Sequence, residues 1–221
     1  MESALPTRGL YAITESRLTA PGPTIEQVSL AIDGGAVMIQ YREKHLSREE
    51  RGREARALAT LCHERDVPLI INDDIELAAA CGAAGVHLGQ DDAPVSRARR
   101  RLGQRAIIGV SCYNQMERAR TAAGTDASYV AFGRFFPSKT KPGAPQAQPA
   151  LLTQARREIS LPIVAIGGIT PENGAELVHA GADLLAVIHG VFGQTDIRAA
   201  AQAYAALFDA GRETAPLNNH L

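Results

Sequence analysis

Residues 68–92 read PLIINDDIELAAACGAAGVHLGQDD, and this segment contains two copies of one short pattern. An apolar run, first Pro68–Ile71 and then Gly85–Leu88, is followed each time by a polar turn that ends in two aspartates. A helix-type stretch between the runs closes on a glycine- and alanine-rich corner, Cys81–Gly85. Short runs that are apolar on both faces are typical of parallel strands buried between helices. The segment therefore predicts a strand–helix–strand unit with acidic side chains at the carboxyl end of each strand.

The same alternation continues along the rest of the chain. Further strand candidates are Gly9–Ile13, Ala36–Gln40, Ala106–Val110, Tyr129–Phe132, Pro162–Ile166 and Asp183–Ile188. Ser47–Glu50 has the spacing of a capping box, Thr170–Pro171 is typical of a helix start, and Thr24–Gln27 suggests another. Eight strands alternating with about eight helices favour an α/β fold, a single (β/α)8 TIM barrel, over a doubly wound open sheet.

Length and composition agree with one catalytic domain. The chain has 221 residues, of which 45% are hydrophobic, and no change of composition marks an internal linker. We expect one barrel over residues 8–210 and flexible termini at residues 1–7 and 211–221.

Charge and cysteine usage exclude some partners. The net charge is −1, from 23 basic and 24 acidic residues, which argues against nucleic acid or an anionic membrane as partner. We find neither a secretory signal nor an apolar stretch long enough to span a bilayer. The three cysteines have no C-x-x-C spacing and fit reduced thiols, so we expect a cytoplasmic protein.

In barrels of this type the chemistry lies at the carboxyl ends of the strands. Asp73 and Asp92 come from two neighbouring strand ends, and one carboxylate from each suits Mg²⁺, which fills its remaining positions with phosphate oxygens and water. The alternative is that these aspartates cap helices, an interpretation that fits Asp74 and Asp91 best.

Cations accompany these acids. Gln40, Arg42 and Lys44 alternate in an extended segment, so all three can face the barrel mouth and bind phosphate oxygens. The alternative is a solvated turn in which Arg42 pairs with Glu43. The irregular stretch Gly133–Gly143 carries hydroxyls and lysines that suit a phosphate clamp, or else forms an ordinary basic surface loop.

Glycines follow the last two strands. Gly167–Gly168 and Gly190–Gly193 stand where barrel enzymes often bind a phosphate on backbone N–H groups, although such glycines also serve tight turns. Among the histidines, we expect His189 alone at the functional rim and His87 as a hydrogen-bonded group of the core.

Seven motifs, taken in order, carry a resemblance to a known family. They are QYREK (40–44), IINDD (70–74), GVHLGQDD (85–92), GVS (109–111), YVAFGRFFPSKTK (129–141), VAIGGI (164–169) and AVIHGVF (186–192). The ordered set resembles the thiamine-phosphate synthases from about Leu10 to Phe208. Members of that family are (β/α)8 barrels that join 4-amino-5-hydroxymethyl-2-methylpyrimidine diphosphate to 4-methyl-5-(2-phosphoethyl)thiazole or its carboxylate. The products are thiamine monophosphate and pyrophosphate, and Mg²⁺ is required.

The resemblance implies a role for each matching position. Asp73 and Asp92 would bind Mg²⁺; Gln40, Arg42, Lys44, Asn72 and Lys141 would hold the diphosphate; Ser111 would contact the aminopyrimidine; and Ser138, Thr140, Gly168, Ile188 and His189 would bind the thiazole phosphate. Arg42, Lys44 and Lys141 would be catalytic, because they neutralise the leaving pyrophosphate. Two positions depart from the common family pattern: Ser138 replaces a threonine, and His189 replaces a frequent serine.

Two alternatives remain open from the sequence. One is a thiazole tautomerase, an isomerase on the same barrel, which needs no metal or diphosphate clamp. The other is a non-catalytic barrel that binds thiazole phosphate. The expected partners are the two small-molecule substrates, with neither nucleic acid nor membrane, and a homo-oligomer is allowed.

Overall fold

The computed structural model describes residues 4–15, 22–137 and 146–209. Within these residues, eight parallel strands pair in chain order and the last pairs with the first, which closes the sheet into a barrel. The strands are β1 (Gly9–Ile13), β2 (Ala36–Tyr41), β3 (Leu69–Asn72), β4 (Gly85–Leu88), β5 (Ile107–Tyr113), β6 (Tyr129–Gly133), β7 (Ile163–Ile166) and β8 (Leu184–Val187). The predicted (β/α)8 barrel is therefore confirmed, and the doubly wound sheet is excluded.

Helices connect successive strands on the outside of the barrel. They are α1 (Thr24–Asp33), α2 (Arg48–Glu64), α3 (Ile75–Cys81), α4 (Val95–Leu102), α5 (Met116–Ala123), α6 (Pro149–Glu158), α7 (Pro171–His179), α8 (His189–Phe192) and α9 (Ile197–Ala205), followed by a 3₁₀ turn at Ala206–Phe208. In the part of the chain that the structure describes, no helix is long and apolar enough to cross a membrane.

Alternation along the strands divides the apolar residues between two layers. Leu10 and Ala12 of β1 belong to the large layer between the strands and the helices. Tyr11 and Ile13 belong to a smaller cluster inside the barrel, together with Met38 of β2. Burial on both faces is what the doubly apolar strand sequences predict.

Helix starts agree with the sequence at three of the predicted positions. Ser47 forms the capping box with Glu50 at the start of α2. Thr170 is the N-cap of α7, and its backbone N–H donates to Asn173 Oδ1 (2.8 Å). Asp74 caps α3 by accepting a hydrogen bond from the Leu77 N–H (2.9 Å).

Two predicted starts are wrong. Pro23 occupies the N-cap position of α1, so Thr24 is already helical, and Pro94 occupies that of α4, so Asp91 caps nothing. In both cases a proline fixes an extended backbone ahead of the first turn.

Two predicted boundaries also shift. Strand β5 continues to Tyr113, with an irregularity in its pairing to β6, so Ser111 lies inside the strand and not after it. His189 begins the short helix α8 directly after β8. The predicted domain limits at residues 8 and 210 stay a prediction, because residues 1–3 and 210–221 lie outside the described part of the chain.

Candidate active site

A cavity of about 630 Å³ opens at the carboxyl ends of the strands. Predicted site residues that line it are Gln40, Arg42, Asn72, Ser111, Gly168, Ile188 and His189. A neighbouring pocket of about 570 Å³ is lined by Lys44 and Asp73, and Asn72 borders both spaces. Ser138, Thr140 and Lys141 lie outside the described residues.

Asp73 and Asp92 meet at the ends of β3 and β4. Asp73 follows β3 with a φ of 64°, a left-handed conformation that aspartate tolerates better than most residues. Burial is the main cause that raises the pKa of the Asp73 carboxyl, and the hydrogen bond to Asp92 and the charge of Asp92 raise it further. Asp92 is oriented by the Gly89 N–H, which donates to its Oδ2 (2.6 Å). The two side chains that were predicted to share a metal are therefore in contact.

The chemistry of this pair fits Mg²⁺. Two ionised carboxylates in contact repel one another, and a divalent cation between them would remove that repulsion. Lys44 Nζ lies 3.6 Å from Asp73 Oδ2 on a half-exposed side chain, so it compensates only part of the charge. Among the described residues there is no group of three or more His, Cys, Asp or Glu side chains that could hold a metal. A cation bound here would complete its shell with phosphate and water oxygens, as Mg²⁺ does.

Arg42 is held by the end of β1. Its guanidinium forms an ion pair with Glu15, and both side chains are largely buried. The Arg42 N–H donates to Thr14 Oγ1 (3.0 Å), which fixes the backbone as well. Burial lowers the pKa of Arg42, and the negative charges of Asp73 and Glu43 oppose this. The alternative placed Arg42 in a solvated turn, whereas the structure buries most of its side chain against Glu15.

Sequence reasoning missed Glu15 and Thr14. Both follow β1 directly, in the same relation to their strand as Asp73 has to β3. The rule that collects site residues at carboxyl strand ends would have found them, had it been applied to the first strand.

A series of hydrogen-bonded polar side chains crosses the barrel interior, and we call it the interior chain. It consists of Gln40, Tyr11, Tyr129, His87 and Ser111. Gln40 Nε2 donates to Tyr11 Oη (2.6 Å), and Tyr11 Oη lies 3.0 Å from Tyr129 Oη. His87 Nδ1 lies 2.9 Å from Tyr129 Oη, and its Nε2 lies 2.9 Å from Ser111 Oγ.

The position of His87 corrects one prediction. It is hydrogen-bonded, as expected, but it also lines the cavity, so His189 is not the only histidine at the site. Tyr11 also lines the cavity, although the sequence analysis gave it no role beyond the strand candidate Gly9–Ile13.

The glycines after β7 allow a close approach of two backbone segments. Gly167 and Gly168 have φ values of +103° and +65°, where glycine is favoured. A Cβ on Gly168 would stand 2.3 Å from the Pro137 carbonyl oxygen, so only glycine fits against the segment that follows β6. Arg134 of that segment lines the cavity near Gly167, and the sequence analysis gave it no role.

Comparison with known proteins agrees with this geometry. The family model for thiamine monophosphate synthase matches residues 10–191. The chain belongs to this family. The predicted family is thereby confirmed.

Individual relatives are similar over nearly the whole chain. A thiamine-phosphate synthase of Nitrosococcus oceani is 54% identical over 197 residues, which is 89% of this chain and 91% of the relative. That of Marinobacter nauticus is 54% identical over 198 residues, 89% of each chain. A solved thiamine phosphate pyrophosphorylase from Pyrococcus furiosus superimposes with a TM-score of 0.84 at 33% identity, covering 92% of this chain and 96% of that one.

Proposed function

We propose that the chain joins 4-amino-5-hydroxymethyl-2-methylpyrimidine diphosphate to 4-methyl-5-(2-phosphoethyl)thiazole, or to its carboxylate, and releases pyrophosphate. Family membership and the relatives at 54% identity support a transferase with these small-molecule substrates. The observation that carries the proposal is the contact between Asp73 and Asp92. Lys44 lies beside Asp73 in a pocket that shares Asn72 with the cavity lined by Arg42.

In this proposal Asp73 and Asp92 hold Mg²⁺. The bound Mg²⁺ would supply positive charge to the oxygens of the departing pyrophosphate. Arg42 and Lys44 add charge from the protein, and the ion pair with Glu15 keeps Arg42 in place before substrate arrives. Lys141 has the same proposed role from its position in the family motif.

The bond changes need no protein base. The C–O bond between the pyrimidine methylene and the diphosphate breaks, and its electron pair leaves with pyrophosphate. The aminopyrimidine ring delocalises the positive charge that remains, and the lone pair of the thiazole nitrogen then forms the new C–N bond. The barrel residues hold the two rings in line and keep water from capturing the cation.

The phosphate of the thiazole would bind on the opposite side of the cavity. Gly168, Ile188 and His189 line that side, close to the ends of β7 and β8. Ser138 and Thr140 are proposed to join them. Barrel enzymes commonly bind phosphates between the loops that follow these two strands.

The first experiment tests the reaction and its metal together. Both substrates are mixed with the protein and Mg²⁺, with or without EDTA, and pyrophosphate release is followed. We expect release that EDTA abolishes and Mg²⁺ restores. No release of pyrophosphate would contradict the synthase activity and leave the tautomerase or the non-catalytic barrel as explanations. Release that EDTA does not affect would contradict the requirement for Mg²⁺.

A matched pair of variants tests the acid pair. Asp92→Ala removes one of the two contacting carboxylates and should lower turnover roughly a hundredfold at moderate Mg²⁺, with part of the loss recovered at high Mg²⁺. Asp91→Ala removes the exposed neighbouring acid and should change turnover less than about twofold. Circular dichroism checks that both variants fold. A folded Asp92→Ala protein with normal turnover would refute the metal site.

A further inference from the structure

The direction of the interior chain depends on which phenol donates in the Tyr11–Tyr129 hydrogen bond, since either can. The Gln40 amide nitrogen donates to Tyr11 Oη, so the single phenolic hydrogen of Tyr11 is available for Tyr129. When Tyr11 donates to Tyr129, the hydrogen of Tyr129 can be donated to His87 Nδ1, which lies 2.9 Å away.

The same count continues through the imidazole. A neutral histidine whose Nδ1 accepts a hydrogen bond carries its hydrogen on Nε2. In that arrangement His87 Nε2 donates to Ser111 Oγ, which lies 2.9 Å away. The hydroxyl hydrogen of Ser111 is then not used within the interior chain, and Ser111 lines the cavity.

We propose that Tyr129, through its hydrogen bond to His87, fixes the Nε2–H tautomer of that histidine and thereby makes Ser111 a hydrogen-bond donor to the substrate. Tyr129 is a positioning residue in this account, since it acts on the substrate only through its neighbours. The consequence for the substrate rests on the proposed function, in which Ser111 faces the aminopyrimidine. A ring nitrogen of that pyrimidine, which has a lone pair and no hydrogen, is the acceptor that a serine donor would select.

The surroundings keep this arrangement rigid. Tyr11 and Tyr129 are almost fully buried inside the barrel, and burial raises the pKa of both phenols well above the usual value. Both therefore keep their hydrogens at ordinary pH. The rings of His87 and Tyr129 stack with centroids 5.6 Å apart.

Gly109 of β5 provides the space that Tyr129 needs. A Cβ at position 109 would stand 2.0 Å from the Cζ atom of Tyr129 and 2.3 Å from its hydroxyl oxygen. The glycine in the middle of this strand thus allows the phenol to reach His87 on β4.

The tautomer can be measured directly. Long-range ¹⁵N–¹H correlation spectra of protein labelled at its histidines identify which ring nitrogen carries the hydrogen, and a His87→Asn variant assigns the signal. We expect the hydrogen of His87 on Nε2. A hydrogen on Nδ1 would overturn the proposal, because His87 would then donate to Tyr129 Oη and its Nε2 would accept the hydrogen of Ser111.

A single-atom deletion then tests the role of Tyr129. Tyr129→Phe keeps the ring and removes the donor, so His87 should populate both tautomers. The KM for the pyrimidine diphosphate should rise roughly threefold to tenfold, as expected for one lost hydrogen bond, while the KM for thiazole phosphate stays within about twofold. An unchanged tautomer together with an unchanged KM would refute the proposal.

Tyr41→Phe is the matched control. Tyr41 is also a buried strand tyrosine, but its hydroxyl donates to Glu54 Oε2 of α2 (2.6 Å), on the outer side of the barrel. This variant should leave both KM values and the His87 signal unchanged. The wild-type spectrum decides the tautomer even if Tyr129→Phe does not fold. Failure of the wild type to release pyrophosphate would refute the proposed function but not the tautomer.

Discussion

At the scale of single residues, the site depends on polar side chains that hold other polar side chains. Arg42 illustrates this, since a long cationic side chain has many rotamers and phosphate binding needs one of them. Glu15 and Thr14 fix the guanidinium and the backbone of Arg42 from the neighbouring strand. Neither residue has to touch substrate in order to affect the reaction.

This arrangement predicts the effect of Glu15→Gln. Removing the charge should leave the largely buried Arg42 only weakly held, so we expect the KM for the pyrimidine diphosphate to rise and the stability to fall by about 1–3 kcal/mol. Glu15→Asp keeps the charge, so its KM and its stability should lie between those of the wild type and Glu15→Gln. Steady-state kinetics and urea unfolding measure the two effects.

The control is a glutamate on the surface. Glu117 pairs with Arg120 three residues further along α5, and its side chain is 81% exposed. Glu117→Gln should change neither the KM nor the midpoint of unfolding appreciably, since surface ion pairs contribute little. Equal effects of Glu15→Gln and Glu117→Gln would argue against a special role for Glu15.

At the scale of elements, helix α2 shows which hydrogen bonds the local sequence can predict. Ser47 Oγ accepts from the Glu50 N–H (3.2 Å), and Glu50 Oε2 accepts from the Ser47 N–H (3.0 Å). Both bonds were predictable, because they join residues three positions apart and depend on residue type alone. Strand β5 shows the opposite case, because its end depends on pairing with β6, which the sequence of β5 does not contain.

We predict that Ser47→Ala lowers the free energy of unfolding by about 1 kcal/mol, because the Glu50 N–H loses its partner at the start of α2. Ser47→Asn should preserve the stability, since asparagine is an equally good N-cap. Thermal or urea unfolding measures the difference. An unchanged free energy of unfolding in Ser47→Ala would show that the cap contributes nothing.

At the scale of the whole molecule, the two buried layers hold several groups that can lose a proton. Burial raises the pKa of the Cys62 and Cys112 thiols to about 12, against an ordinary value of 9.0. Burial likewise raises the pKa of Tyr204 to about 12, and Tyr11 and Tyr129 shift in the same direction. The folded barrel therefore favours the protonated form of each.

Alkaline pH should consequently unfold the protein. Above about pH 9 the unfolded chain loses protons that the folded barrel retains, so the free energy of unfolding falls as the pH rises from about 9 towards 12. Below pH 9 these thiols and phenols are protonated in both the folded and the unfolded state, so they give the free energy of unfolding no dependence on pH. Urea midpoints at pH 8 and pH 10.5 test the sign, and a higher midpoint at pH 10.5 would contradict it.

Thiol reactivity provides an independent check on this burial. The chain has three cysteines, and Cys62 and Cys112 are buried while Cys81 is partly exposed. At pH 8 we expect a thiol reagent to modify at most Cys81 in the folded protein and all three in denaturant. Rapid modification of Cys62 or Cys112 in the folded protein would show that the thiol reagent can reach the buried layers.

The amino-acid sequence by itself determined where the strands lie along the chain, favoured a parallel barrel over an open sheet, and placed Asp73, Asp92 and Arg42 after the carboxyl ends of strands. These features follow from local periodicity and from the rule that parallel strands end at a common edge. Only the tertiary structure decided that Asp92 contacts Asp73, and that Tyr11 meets Tyr129, 118 positions away. Alternation separates the two faces of a strand, but the closure of the barrel decides which atoms of distant strands come within bonding distance.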